Sequence, residues 1–414
     1  MRERIWLWLT RLWHKPGVRI SIFGIVALVI AALAPFFDRS IPADLQERLP
    51  PEAVLPILNI LASSMLAVTT FSLGIMVQAF RAAAGQATPR AYRILMQDMT
   101  TQNVLSVFVG AFLFSLSSIV MFRAGLYGEG ASVVVFGMTL VCILLIIIAI
   151  LRWIAHLSLL GSMDHTLMKV ETAATPPLHR MADAPNLGAR PAEDAPKAPD
   201  DAATVYARRS GFVQHISMAA LDETLEEAGA TLWVLAPPGR WVLEGMPLAR
   251  VSGDIDLGVL ADQFTIGEDR SHEQDARFGL VILSEIASRA LSPGVNDPGT
   301  AIDVIHRLER VLWDLGLRMT DPDRDTEPRY TNIIAGKVSA QDLLQDGFAA
   351  LMEDGGGRFD VMSQVLNATS RLSRSDWNEL AEAARATQDR ALTIIDRRID
   401  DPETEDRLKG KAEA

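Results

Sequence analysis

The sequence predicts an α-helical membrane protein: four transmembrane helices, then a cytoplasmic α+β domain made of a small β-rich module and a helical C-terminal part. Three observations predict it. Hydrophobic residues make up 49% of the chain without counting glycine, a high fraction against the roughly 45–50% that soluble proteins reach with glycine included. Four apolar stretches of about 20 residues, the length that crosses a hydrocarbon core as a helix, stand near the N-terminal end. Beyond them acidic residues accumulate, among them Glu223, Glu226, Glu227, Asp400, Asp401, Glu403 and Glu405, and the net charge is -12. That charge argues against a nucleic-acid partner.

The spans are Val18 to Phe37, Leu55 to Phe80, Asn103 to Phe122 and Ala131 to Trp153. The first follows Arg2, Arg4, Arg11 and Lys15, as a signal peptide does, but it ends in Pro35, Phe36 and Phe37 with no small-residue cleavage site, and so reads as a retained anchor. Arg81, Arg90 and Arg93 sit after the second span, and Arg152 and Lys169 flank or follow the end of the fourth. The positive-inside rule then places both termini in the cytoplasm of a bacterial inner membrane. Trp6, Trp8, Trp13 and Trp153 fall at that boundary, where indole rings favour the headgroup layer. The single cysteine, Cys142, excludes an intramolecular disulfide and a multi-cysteine metal site.

The expected organisation is a basic arm over 1–17 and a membrane domain over 18–170, in which the fourth span runs on as a helix through His156 to about Lys169. A disordered linker over 171–204 follows, rich in Pro, Ala and Asp and too poor in large apolar residues to fold. The β-rich module, 205–254, holds strand-like runs at Gly211 to Ile216, Thr231 to Leu235, Trp241 to Leu243 and Leu248 to Val251, with a helix at Met218 to Glu227. The last part, 255–414, reads as helical. Phe278, Val281, Ile282 and Ile286, then Ile302, Ile305, Leu308 and Leu312, recur at helical spacing. Further helices are expected near Ala340 to Met352, Phe359 to Leu372 and Asp376 to Asp396, the first opened by Ser339 with Asp342.

Thr88-Pro89-Arg90 with Arg93, Ser210-Gly211-Phe212-Val213, Glu273-Gln274-Asp275 with Phe278-Gly279, and Arg289-Ala290-Leu291-Ser292-Pro293-Gly294-Val295-Asn296-Asp297-Pro298 are the most irregular strings in the chain. On these the sequence resembles the bacterial predicted-membrane-protein family called domain of unknown function 2254. The resemblance implies an architecture, four spans plus a cytoplasmic domain, and no settled activity.

In the second span Asn59, Ser63, Ala67, Thr70, Gly74 and Gln78 are spaced 4, 4, 3, 4, 4 and share one helical face. Asn103, Ser106, Gly110 and Ser117 repeat the pattern more weakly in the third. Such a stripe is either a close helix-packing surface or a polar pathway around an oligomer axis. No Asp, Glu, Lys or Arg occupies the middle of a span, which argues against a carboxylate proton relay. In the C-terminal part, Asp297-Pro298 is a helix start. Ser292, Asn296 and Asp297, with Glu273, Asp275 and Arg289, form either a plain corner between helices or a ligand or ion site. His156 reads as an interfacial residue.

The turn Pro238-Gly239-Arg240-Trp241-Val242 with Gly245 and Pro247-Leu248 faintly resembles the hairpin of biotinyl and lipoyl carriers. No lysine occurs between Lys197 and Lys337, so no prosthetic group is expected there. Trp233 and Trp241 are expected as core or interface anchors. His-Glu-x-x-His, Gly-x-x-x-x-Gly-Lys and Gly-x-Ser-x-Gly are all missing, so no enzyme, metal or cofactor is expected. The leading expectation is a homo-oligomeric, channel-like protein in contact with lipid, with an ion or small ligand of unknown identity. The alternative is a non-conducting scaffold or sensor that binds a cytoplasmic partner or small ligand.

Overall fold

The computed structural model describes residues 16–96, 98–157, 159, 161–324 and 327–412. The expected basic arm lies outside them, Trp6, Trp8 and Trp13 included, except for Pro16 and Gly17 at the start of the first helix. By internal contacts the chain forms two compact units, one up to Gly85 together with Tyr92–His165, the other Gln86–Ala91 together with Thr166–Ala414.

The N-terminal unit holds α1 (Pro16–Leu33), a 3-10 turn (Ala34–Ser40), α2 (Ala43–Arg48), α3 (Pro51–Gln86), α4 (Pro89–Met96, shared between the units), α5 (Met99–Arg123) and α6 (Glu129–Leu157). Four stretches are long and apolar enough to cross a membrane: Gly17–Phe37, Pro51–Ala82, Met99–Arg123 and Glu129–Leu157. Each contains one of the expected spans. Half of the most apolar window of α5 is buried, against 22% for each of the others, so α5 is the helix around which the rest pack. Glycine lets α1 approach it: a Cβ at Gly110 would stand 3.6 Å from the carbonyl oxygen of Phe23, and one at Gly24 would meet Leu113 at 2.8 Å. Arg19, buried on α1, donates to Asn103 Oδ1 on α5 at 2.9 Å.

The fourth span does not run on to Lys169. α6 stops at Leu157, Gly161 turns the chain with φ 86°, and the Ser162 hydroxyl accepts from His165 N as α7 (Met163–Asp183) begins. Gly and Ser are the residues that end and restart helices. The expected linker is ordered as well. Residues 171–183 are the greater part of α7, and β1 (Ala189–Pro191) and β2 (Ala203–Tyr206) follow. Composition misled here because α7 needs only a narrow face: Leu167, Val170, Ala174, Leu178 and Ala182, three or four residues apart, are all buried. Ala174 lies so close to Gly279 that a Cβ there would come within 2.2 Å of it. That packing outweighs the cost of Pro176 and Pro177 inside the helix.

The C-terminal unit continues through β3 (Gly211–Ile216), α8 (Met218–Ala228), β4 (Thr231–Val234), β5 (Trp241–Val242), β6 (Pro247–Ser252), α9 (Leu257–Ala261) and β7 (Phe264–Gly267). Then come α10 (Phe278–Leu291), α11 (Pro298–Met319), β8 (Tyr330–Ala335), α12 (Ala340–Gly355), α13 (Phe359–Leu372), α14 (Asn378–Arg398) and α15 (Pro402–Ala412). One sheet has the order β1-β8-β4-β6-β2, the other β5-β3-β7. The module therefore does not close over 205–254. It borrows β1 from the expected linker and β8 from the expected helical part, and β8 runs parallel to both β1 and β4. The carrier-like hairpin is not formed either, since β5 and β6 belong to different sheets. Apolar residues of α8 and of both sheets, such as Leu221, Leu225, Leu232, Val213 and Val251, share one core. The Ser339–Asp342 pair forms a complete capping box on α12.

Candidate functional site

The polar face of the second span is exposed among the described residues. Val54, Leu58, Met65, Ser72 and Phe80 of α3 are buried, whereas Asn59, Ser63, Ala67, Thr70, Gly74 and Gln78 are all exposed. At 100° per residue these two sets lie on opposite sides of the helix. The hydroxyls of Ser63 and Thr70 turn back to the carbonyls of Asn59 and Leu66, both at 2.9 Å, and the Asn59 amide donates to Leu55 O at 2.9 Å. Around Gly74 there is open space. The third-span residues behave differently. Ser106 is fully buried and donates to Gln102 O at 2.7 Å, Gly110 seats α1, and Asn103 serves Arg19. The third-span stripe is therefore in large part a packing surface, with Ser106 and Gly110 buried and Asn103 exposed beside Arg19.

A polar cluster that the sequence reading passed over sits where α5 begins and α6 ends. Asp98 caps α5 by accepting from Thr101 N at 3.0 Å, and its Oδ2 lies 2.9 Å from His156 Nε2. The Thr101 hydroxyl is 3.0 Å from Asp98 Oδ2 and 3.1 Å from His156 Nε2. Asp98, Thr101, His156 and His165 are all buried, and the two imidazole rings meet edge to face at 5.9 Å. His156 is thus buried within the N-terminal unit. Asp98 three residues ahead of Thr101, at the mouth of an apolar run, is a cap signature; nothing local signals the partner 58 residues away.

The expected corner does not assemble. Glu273 and Asp275 precede α10 while Ser292, Asn296 and Asp297 follow it, and its 14 residues put about 20 Å between them. Gln274 caps the end of β3, accepting from Ile216 N and donating to Ile216 O. Buried Asp275 accepts from Arg270 Nε at 2.8 Å and from Arg277 N at 3.1 Å. Its carboxylate lies where a Cβ at Gly239 would be, 2.3 Å from Oδ2, so that turn requires glycine. Burial pushes the Asp275 carboxyl up, against the pull of Arg270. Arg180 holds the Glu273 carbonyl at 2.8 Å. At the other end, Ser292 closes on the carbonyl of Arg289, Asn296 takes a left-handed φ of 52°, and Asp297 N donates to Ala290 O at 2.8 Å. Asp297 caps α11 through Thr300, whose donors hold its carboxyl below the usual range, and the side-chain Oδ1 of Asn296 accepts from Arg358. The contacts named here are caps, turn closures and pairings with Arg180, Arg270 and Arg358.

Thr88-Pro89-Arg90 belongs to the C-terminal unit by its contacts. Thr88 caps α4, accepting from Ala91 N, and Arg90 pairs with Glu285 on α10. Burial raises the Glu285 carboxyl while Arg90 and Arg270 lower it. Trp241 is half exposed, its ring edge-on to Phe212 at 4.8 Å, and Trp233 donates to Pro196 O at 2.8 Å. Among the described residues no three His, Cys, Asp or Glu side chains stand together as metal ligands.

Four apolar helices followed by a domain of small sheets and helices define a multi-span membrane protein. The chain belongs to the family described as predicted membrane protein (DUF2254), whose profile matches residues 11–371. It is similar to uncharacterised proteins of Mycobacterium tuberculosis and Mycobacterium bovis, each 25% identical over 325 residues, or 75% of this chain. The alignment covers 61% of each relative's length. No solved structure matches.

Proposed function

We propose that the protein is a homo-oligomeric, channel-like protein of the bacterial inner membrane, with α3 faces of several copies around a common axis and a cytoplasmic C-terminal domain that assembles or senses. The observation that carries this is the orientation of Asn59, Ser63, Thr70, Gly74 and Gln78, all on the side of α3 remote from the subunit's own core. Lipid solvates neither amide well, and polar side chains in spans face protein or water. A second copy supplies the first and a central pathway the second. The reading includes no catalytic step and no cofactor.

Purified protein in liposomes tests it. Ion flux is expected, with Asn59→Leu and Thr70→Leu each changing its rate, and Thr70→Cys in a Cys142→Ser background is expected to cross-link between copies. Absence of flux at every ion and voltage, with the cross-link present, replaces the channel by the non-conducting scaffold or sensor. Absence of the cross-link removes the oligomer axis itself.

A further inference from the structure

We infer that the groove along α11 in the C-terminal unit is a binding site for a small aromatic anion of the mononucleotide class. The inference stands apart from the question of conduction, because every residue in it lies in that unit.

α11 buries one face, with Ile305, Leu308, Leu312 and Leu315 all at 0% exposure. On another face His306, Arg310, Trp313 and Leu317 follow one another at spacings of 4, 3 and 4, and a helix with a single core would make this face polar throughout. Instead Trp313 is 38% exposed and Leu317 56% exposed. Arg371 and Arg374, at the end of α13, close the other side of a cavity of about 480 Å³. That volume lies in the range of small-ligand clefts, roughly 300–1,000 Å³.

The charges favour an anion. The two acidic residues at the groove are already engaged: Glu309 accepts from Arg371 at 2.8 Å, and Asp314 lies 2.6 Å from His179 Nε2. The lining carries three guanidiniums, Arg310, Arg371 and Arg374, against the two carboxylates Glu309 and Asp314, and at the groove edge Glu171 accepts from Arg307 at 2.7 Å and Arg310 at 2.6 Å. Arg371 is held in place by Glu309, so it meets a ligand with little ordering left to lose. Neither the Trp313 indole N–H nor the His306 ring has a hydrogen-bond partner among the described residues. A flat ring stacked on Trp313, with a phosphate between Arg371 and Arg374, uses the apolar floor and the surplus charge together.

The test is calorimetric titration of the full chain in nanodiscs with adenosine 5′-monophosphate, and with adenosine alone and inorganic phosphate alone as separate arms. Saturable binding of the nucleotide is expected, tighter than either fragment. Trp313→Ala is expected to weaken it about 10-fold, as loss of one stacked base does, while Trp313→Phe retains most of it. Arg374→Gln is expected to weaken it and to flatten its salt dependence. Three outcomes overturn the assignment: no saturable binding of the nucleotide, binding that Trp313→Ala leaves unchanged, or phosphate alone binding as tightly as the nucleotide. A folded Trp313→Ala variant that loses a protein partner, while the wild type binds no nucleotide, assigns the groove to that partner instead.

Discussion

α3 and α5 both carry small and polar residues at helical spacing, yet α3 leaves them exposed while α5 buries Ser106 and Gly110 and pairs its exposed Asn103 with Arg19. On α5, Gly110 gives α1 a seat, Ser106 is capped by its own helix and Asn103 answers Arg19. On α3, the corresponding face is exposed among the described residues. A polar stripe in a span therefore says that something other than lipid must cover it, and leaves open whether the cover comes from the same chain.

The largest effect that probes this contrast is on the packed side. Gly24→Leu, whose Cβ alone would meet Leu113 at 2.8 Å, is expected to cost about 1–3 kcal/mol or more of stability in detergent, as overpacking does. Gly74→Leu, which meets open space in the subunit, is expected to change monomer stability by less than about 0.5 kcal/mol. Equal losses in the two variants would erase the distinction between the helices.

Asp98→Ala comes next. It removes a cap and the carboxylate beside the buried His156 ring, which keeps only the Thr101 hydroxyl, at an expected cost of about 1–3 kcal/mol in the thermal unfolding of the purified protein. Asp98→Asn keeps an acceptor and is expected to cost less; the reverse order would show that the pairing with His156 matters little.

A third measurement concerns acid. Burial brings His272 down to about 4 from its ordinary 6.5, so its neutral ring is the form the fold prefers. The stability this contributes is fully present above pH 6.5 and is lost as the pH falls through about 4. The slope is at most about 1.4 kcal/mol per pH unit for one proton. Asp275, pushed upward by burial, opposes it, since protonation of that carboxyl relieves its burial cost. Stability of the wild type and His272→Phe between pH 7 and pH 4 separates the two, the variant being expected to lose less on acidification. The smallest effect is that of the Arg371–Glu309 pair, whose guanidinium is half exposed. Glu309→Gln is expected to cost no more than about 1 kcal/mol in unfolding experiments and to become neutral at high salt.

Much of the architecture is legible because it depends on local signals. Apolar runs of span length mark all four membrane helices, Ser339 with Asp342 marks the start of α12, and α13 occupies the expected Phe359–Leu372. The candidate sites are less legible. Glu273 and Asp275 share a motif-rich stretch with Asn296 and Asp297, but the straight run of α10 separates them, and nothing in residue type announces that separation. The order of 171–204 was hidden for the opposite reason. Alanine and proline look like linker residues until Gly279 and the other helices offer them a surface narrow enough to fill.

The sequence by itself determined the spans, most of the helices and the irregular corners, because hydropathy and capping act between residues a few positions apart. Only the tertiary structure decided which polar face is left uncovered, that β1 and β8 complete a sheet begun elsewhere, that His156 answers Asp98, and that Trp313 lies open beside Arg371. Each of those depends on what a distant part of the chain places opposite, and periodicity along one helix carries no record of its neighbour.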